Sequence, residues 1–177
     1  RTNLGILYYD QHKDDKAEQM FLESLQKDES HTRALKRLED IYVEQKKLDK
    51  AEQIYLNEIQ KGYMDAYALL GNFYDGQKEY DKAERILLKG IKKGDENSYH
   101  TLGKVYMNQE KFDKAEKLFQ KIIENGNPEG YNDLGGLYTI MKKYDKAKQT
   151  LLKAVELGVT SAYYNLGSLY YQLEDYD

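Results

Sequence analysis

Side chains that could carry out chemistry are few in this 177-residue sequence, and their spacing fits no catalytic arrangement. The absence of cysteine excludes disulfide bonds and thiolate chemistry. The three histidines, His12, His31 and His100, are scattered and have no partner at metal-ligand spacing. There is also no phosphate-binding glycine loop and no nucleophile elbow. The sequence therefore predicts a protein that is not an enzyme and uses no cofactor.

Acidic pairs are the remaining candidates for acid–base chemistry. Asp14–Asp15, Glu39–Asp40 and Glu174–Asp175 are adjacent in sequence, so the two carboxylates of each pair point to different sides of a helix or turn. We expect them to be solubilising charges and helix caps. The formal net charge of -4 also disfavours nucleic-acid binding, and the sequence has no run of about 18 apolar residues that would predict a membrane span.

A short phrase that recurs along the whole chain indicates which elements hold these residues. Asp-Lys-Ala-Glu begins at Asp15, Asp49, Asp81 and Asp113, and a version ending in lysine begins at Asp145. A leucine and, four residues later, a tyrosine keep the same register. These pairs are Leu4 and Tyr8, Leu38 and Tyr42, Leu70 and Tyr74, Leu102 and Tyr106, Leu134 and Tyr138, and Leu166 and Tyr170. A period of 32 to 34 residues predicts a solenoid in which each repeat packs on its neighbours.

Within one repeat the apolar spacing predicts two amphipathic helices joined by a polar turn. Gly62, Gly94, Gly126 and Gly158 are expected to end the second helices in a left-handed conformation. A glycine follows most of the repeated leucines, and we expect it to face the alanine of the repeated phrase so that the two helices pack closely. Glu39 replaces this glycine in the second repeat, so that hairpin is expected to be splayed or weaker.

The order Tyr99-x-x-Leu102-Gly103-x-x-Tyr106, followed by Ala115 and Phe119, resembles the tetratricopeptide repeat, with some Sel-like character. The resemblance implies an all-α, right-handed superhelical solenoid of antiparallel helix–turn–helix repeats over residues 1–177. The repeats are expected at about 1–31, 32–63, 64–95, 96–127 and 128–159, with a partial repeat at 160–177. Because the chain opens and stops within the pattern, we expect it to be a piece of a longer array.

The resemblance also implies that the first helix of each repeat lines a concave groove that binds other proteins or peptides. The groove positions carried over are Arg33, Lys36, Arg37, Asp40, Asn72, Asp75, Asn97, His100, Lys104, Met107, Asn132, Tyr164 and Tyr171. Asparagine both donates and accepts hydrogen bonds, which suits it to contact an extended peptide backbone. The alternative interpretation is that these are solvated residues on helix faces. Most of the 18 tyrosines are expected in the core, with Tyr9, Tyr164 and Tyr171 as exceptions on the groove.

Three residues near the start of the array correspond to a carboxylate clamp. In the chaperone-binding members of the family, an asparagine and basic residues of the next repeat hold a partner's terminal carboxylate, and Asn3, Arg33 and Arg37 match these positions. Guanidinium groups hold carboxylates through paired, charge-assisted hydrogen bonds. The alternative is a solvated basic stretch shared with Lys46 and Lys47.

The function that the resemblance implies is a protein-interaction scaffold that binds peptide segments of partner proteins. Two alternatives stay open. One is a structural role in which open terminal repeats stack on a copy of the same protein. The other is a docking arm of a larger enzyme. The lack of cysteine and of any visible export signal leads us to expect a cytoplasmic location.

Overall fold

The computed structural model describes residues 3–6, 13–27 and 31–174, and the regular structure of these residues is helical. Ten helices have described bounds. They are α1 Asp14–Gln26, α2 His31–Glu44, α3 Leu48–Gln60, α4 Ala66–Gly76, α5 Tyr80–Lys92, α6 Glu96–Asn108, α7 Phe112–Glu124, α8 Glu129–Ile140, α9 Tyr144–Glu156 and α10 Ser161–Glu174. The even-numbered helices are the first helices of their repeats, and the odd-numbered ones are the second. Within the described ranges no helix has both the length and the apolar character needed to cross a bilayer.

The helices are ended by residues in the left-handed backbone region, which recur with the repeat. Between repeats these residues are Gly62, Gly94, Gly126 and Gly158, with φ from 85° to 92°, as expected. The amide of the following residue then bonds back to the helix, as when Asp95 N donates to the carbonyl oxygen of Gly90 at 2.9 Å. Within repeats, however, the left-handed position is held by non-glycine residues at φ of 58° to 60°. These are Lys46, Lys78, Glu110 and Lys142.

Close packing within most hairpins depends on the glycine that follows the repeated leucine. A Cβ atom added to Gly71 would lie 2.4 Å from Leu87 Cδ2, and one added to Gly103 would lie 2.3 Å from Phe119 Cε1. That this glycine also faces the alanine of the repeated phrase stays a prediction. The nearest atoms belong to the large apolar residue one turn after the alanine, and these side chains are fully buried. The missing glycine side chain makes room for a leucine or phenylalanine that fills the core.

The second repeat replaces this apolar contact by a polar one. Glu39 stands where the other repeats have glycine, and the hydroxyl of the fully buried Tyr55 donates a hydrogen bond to the Glu39 carboxylate. Burial and the nearby Glu39 charge raise the pKa of Tyr55, so its hydroxyl stays protonated and can donate. The backbones of α2 and α3 approach each other at fewer points than those of the later hairpins. This agrees with the expected splaying.

Adjacent repeats are joined by the last residue of the Asp-Lys-Ala-Glu phrase. The tyrosines of α2, α4, α6 and α8 donate to the glutamate of the preceding repeat, with Tyr42 to Glu18 at 2.8 Å and Tyr106 to Glu84 at 3.0 Å. Tyr74 with Glu52 and Tyr138 with Glu116 form the same pair. The lysine of the phrase lies over the tyrosine ring of its own repeat, as Lys114 lies 5.3 Å from the Tyr106 ring centroid. The repeated phrase therefore encodes the junction between repeats.

The junction to α10 departs from this pattern. Lys148 replaces the glutamate, and its Nζ lies 5.4 Å from the centroid of the Tyr170 ring. A cation–π contact thus stands where the other junctions have a hydrogen bond to a carboxylate. Tyr170 is 39% exposed, whereas Tyr74, Tyr106 and Tyr138 are buried.

Candidate binding groove

The first helices lie on the inner side of the array. Helix α4 contacts α6, α6 contacts α8, and α8 contacts α10. No pair of successive second helices with described bounds approaches as closely. Because the helices are closer on the inside of a curve, the surface formed by the first helices is the concave one. The groove residues predicted from the sequence belong to these helices.

Several of these residues hold neighbouring first helices together. Asn97 Nδ2 donates to Asp65 Oδ1 at 3.4 Å, and Asn108 Nδ2 donates to Asp75 Oδ2 at 2.8 Å. His100 Nδ1 lies 2.7 Å from Asp133 Oδ2, whose side chain is almost buried. Their polar groups are therefore engaged within the protein, which reduces their availability to a ligand.

The amide of Asn132 is similarly engaged at the junction between α8 and α10. Its Nδ2 donates to Ser161 Oγ at 3.1 Å, and its Oδ1 accepts a bond of 2.7 Å from Asn165 Nδ2. Ser161 Oγ in turn donates to Glu129 Oε2 at 3.2 Å. Together with the bonds of Asn97, Asn108 and His100, these bonds form a row of polar contacts between neighbouring first helices, which we call the polar seam.

A second set of groove residues has no polar partner among the residues that the structure describes. Arg33, Asn72 and Lys104 are exposed, and none makes a hydrogen bond or ion pair in the described part of the chain. Tyr164 and Tyr171 are also exposed, and their hydroxyl groups are free in the same sense. These five side chains can offer a cation, an amide or an aromatic ring to a ligand. Met107 instead packs partly against the core, and Tyr9 lies outside the described residues.

The basic residues of α2 are only partly available. Lys36 Nζ lies 3.3 Å from Glu39 Oε1, and Arg37 Nη1 lies 3.9 Å from Asp40 Oδ2. Asn3 is an exposed residue of the helical segment 3–6. Of the three residues expected to form a carboxylate clamp, Arg37 thus has an acidic neighbour on its own helix, and Arg33 has none among the described residues.

Acidic side chains accompany the groove beyond α2. Asp65, Asp75, Glu96, Glu129 and Asp133 follow one another along α4, α6 and α8 or at their starts. Burial raises the pKa of Asp75, although the hydrogen bond from Asn108 acts in the opposite direction. Asp75 Oδ1 is buried without a hydrogen-bond partner among the described residues. The groove therefore carries both basic and acidic side chains along α2 and a row of acidic side chains along α4, α6 and α8.

Sequence reasoning missed three members of the polar seam, namely Asn108, Asp133 and Asn165. A signal for them exists, because Asp75 and Asn108, His100 and Asp133, and Asn132 and Asn165 are each 33 residues apart. An offset of the repeat length plus one residue therefore marks side chains that meet across neighbouring first helices. No group of three or more histidine or carboxylate side chains is placed to hold a metal ion in residues 3–6, 13–27 and 31–174.

Comparison with known proteins places this architecture in context. Models described as Tetratricopeptide repeat match residues 1–27, 66–99, 96–125, 128–157 and 160–177. Among curated proteins there is no significant match. The solved structure of TTC0263, a thermophilic TPR protein of Thermus thermophilus, is 20% identical, with 95% of this chain and 96% of that chain covered and a TM-score of 0.65.

Two further solved structures are similar. BtubC from P. vanneervenii is 18% identical, covers 93% of this chain and 83% of its own, and has a TM-score of 0.62. YrrB, described as a TPR protein with an unusual peptide-binding site, is 19% identical over 90% of this chain and 85% of its own, with a TM-score of 0.52. At these identities the likeness concerns the fold, and it confirms the expected right-handed superhelical solenoid.

Proposed function

This chain belongs to the tetratricopeptide repeat family, whose arrays serve in general as protein-interaction scaffolds, and we propose that its first helices bind extended peptide segments of partner proteins. The observation that carries the proposal is the division of the groove residues into two sets. One set is bonded between helices and holds the groove in shape. The other set, Arg33, Asn72, Lys104, Tyr164 and Tyr171, makes no hydrogen bond or ion pair with any described residue.

The chemistry of the free set suits a peptide ligand. An exposed amide such as that of Asn72 can bond both to the carbonyl and to the N–H group of an extended backbone. Arg33 and Lys104 can pair with carboxylates, and the tyrosine rings can cover apolar side chains. A groove already held by hydrogen bonds between helices loses less conformational freedom when a ligand binds. The peptide-binding site attributed to the structurally similar YrrB supports the same proposal.

The test compares partner capture by three forms of the protein, using quantitative mass spectrometry. The groove variant carries Arg33→Glu, Asn72→Ala and Lys104→Glu. The matched control carries Lys89→Glu, Gln120→Ala and Lys117→Glu, which make the same change in net charge and remove one side-chain amide at exposed positions of second helices outside the groove. We expect the groove variant alone to lose a set of partners while circular dichroism shows equal helix content. Equal partner sets for all three forms would contradict the proposal.

A further inference from the structure

The second helices carry exposed leucines at one position of the repeat. They are 37% to 47% exposed, and they are Leu22, Leu56, Leu88 and Leu152. Glutamine stands at this position of α7. Leu56 and Leu88 belong to repeats with described helices on both sides, so their exposure does not depend on the ends of the array. Apolar side chains that recur on neighbouring helices, unlike single ones, mark a surface that a partner can cover.

The charge of the second helices changes along the array. Helices α1 and α3 contain more acidic than basic residues. Helices α5, α7 and α9 together contain ten basic and seven acidic residues. Lys89, Lys92 and Lys117 are exposed, and none makes a hydrogen bond or ion pair with a described residue. The outer surface of the third to fifth repeats therefore combines exposed leucines with a net positive charge.

The first helices of the same three repeats have the opposite charge. Helices α4, α6 and α8 together contain four acidic residues and one basic residue, Lys104. Glu96 and Glu129 accept hydrogen bonds from Asn127 Nδ2 at 2.8 Å and from Ser161 Oγ at 3.2 Å. An amide or hydroxyl donor satisfies a carboxylate oxygen without neutralising its charge. The groove of these repeats therefore keeps a net negative charge although its side chains are hydrogen-bonded.

We propose that the outer surface of α5, α7 and α9 docks on the groove surface of α4, α6 and α8 of a second copy of this chain. The inference goes beyond the proposed peptide binding and makes the second copy a competitor for the same groove. An excess of three basic residues on one surface meets an excess of three acidic residues on the other. Because the two surfaces lie on opposite sides of the molecule, each copy can use both, and the association can continue from copy to copy.

The second copy fits these surfaces better than two other occupants. An acidic peptide or an anionic lipid surface would match the outer surface, but neither would use the negative charge of α4, α6 and α8. The second copy uses both surfaces, and it covers Leu88 and Leu152 on one of them and Ile140, which is 55% exposed, on the other. The acidic helices α1 and α3 would be repelled by the acidic groove, so the docking is confined to the third to fifth repeats.

Light scattering after size exclusion, at several protein and salt concentrations, tests the inference. We expect the average mass to rise with protein concentration at low salt and to fall toward that of the monomer as salt screens the charges. An outer variant with Lys89→Glu, Lys92→Glu and Lys117→Glu should weaken the association by at least about tenfold, because like charges would then face each other. The matched control makes the same change in charge away from this surface, with Lys27→Glu, Lys46→Glu and Lys47→Glu. It should associate like the unchanged protein.

A carboxylate variant with Glu96→Lys and Glu129→Lys tests the other half of the interface. It should not associate with itself, but an equimolar mixture with the outer variant should form a pair that grows no further. One copy then supplies an intact groove and the other an intact outer surface. Association that the outer variant loses and the carboxylate variant keeps would show that the groove is not the docking surface. A monomer at every concentration, or equal association by the outer variant and its control, would overturn the inference and leave an acidic peptide or lipid as the occupant to test.

Lys104→Glu separates this inference from the proposed peptide binding. It removes the single basic residue of α4, α6 and α8. Self-association should therefore become tighter, whereas capture of partners that pair with Lys104 should weaken. Loss of partners without tighter self-association contradicts the docking of a second copy alone. Tighter self-association without any loss of partners contradicts the peptide proposal alone.

Discussion

Gly135 and Gly136 are neighbours in α8, yet alanine should raise the free energy of unfolding at Gly136 and should not raise it at Gly135. A Cβ added to Gly135 would lie 2.3 Å from Leu151 Cδ2 and 2.4 Å from Leu151 Cγ. Leu151 is fully buried, so it has little room to move away. A Cβ added to Gly136 meets no described atom within 4 Å. The two substitutions therefore make the same chemical change in different surroundings.

The expected magnitudes follow from two opposing contributions. Replacing glycine by alanine inside a helix stabilises it by about 1 kcal/mol, and this gain is shared by both variants. Forcing an additional methyl group into a packed core costs about 1 to 3 kcal/mol, and only Gly135→Ala carries this penalty. Gly136→Ala should therefore raise the unfolding free energy by about 1 kcal/mol. Gly135→Ala should have a net effect between neutral and a loss of about 2 kcal/mol.

The difference between the two variants is the more secure quantity, because the helix propensity cancels. It should be about 1 to 3 kcal/mol, measured by urea unfolding followed by circular dichroism at about 222 nm. Leu151→Ala in the Gly135→Ala background should cost less than the sum of the two single changes, because the new methyl group occupies part of the space left by the leucine. Equal stabilisation by both glycine substitutions would refute the inferred close packing of α8 on α9.

Three further predictions concern the turns and the junctions. Lys78 has a φ of 59°, so Lys78→Gly should stabilise the fold by up to about 1 kcal/mol. Lys93, with a φ of -83°, gains nothing from glycine and is the control. The midpoints of urea unfolding of the two variants and of the unchanged protein test this prediction. Lys148→Glu should supply the carboxylate that Tyr170 lacks and stabilise the junction by about 0.5 to 1.5 kcal/mol. Thermal unfolding measures this stabilisation, which should disappear when Lys148→Glu is made in the Tyr170→Phe background, because phenylalanine has no hydroxyl to donate. Burial, followed by the hydrogen bond to Glu84, raises the pKa of Tyr106 to about 12. The folded state therefore retains this proton more strongly, so the associated stability is present below about pH 10 and is lost as the pH rises toward 12. Urea unfolding between these pH values should show a smaller decline for Tyr106→Phe, and identical declines would contradict the assignment.

The helical hairpins could be predicted from the sequence because their signals are local and repeated. Apolar spacing located the two helices, and the glycines at 62, 94, 126 and 158 marked the ends of the second helices, as their positive φ confirms. The left-handed residues within repeats were missed because lysine and glutamate are not typical of that conformation. Their backbone is held by the bonds that close the turn, such as Lys47 N to the carbonyl oxygen of Tyr42 at 2.7 Å.

The groove was harder to predict because residue type does not reveal which side chains are free. Asn72 and Asn97 are both exposed asparagines of first helices, yet Asn97 bonds to Asp65 and Asn72 bonds to no described residue. The difference depends on which side chain of the neighbouring helix lies within reach, and that depends on how adjacent repeats pack. Glu39 shows the same limit, because its effect on the hairpin could be anticipated while its bond to Tyr55 could not.

The unequal contacts on the two sides of the array have a mechanical consequence. The inner helices are linked by side-chain hydrogen bonds, whereas the outer helices with described bounds are not in comparable contact with one another. Such bonds exchange with water at a small net change in free energy, so each junction can bend by a little without loss of its core. Small rotations at successive junctions add up along the chain. Because the first helices are cross-linked and the second helices with described bounds are not, bending of the array should change the spacing of the second helices more than the width of the groove.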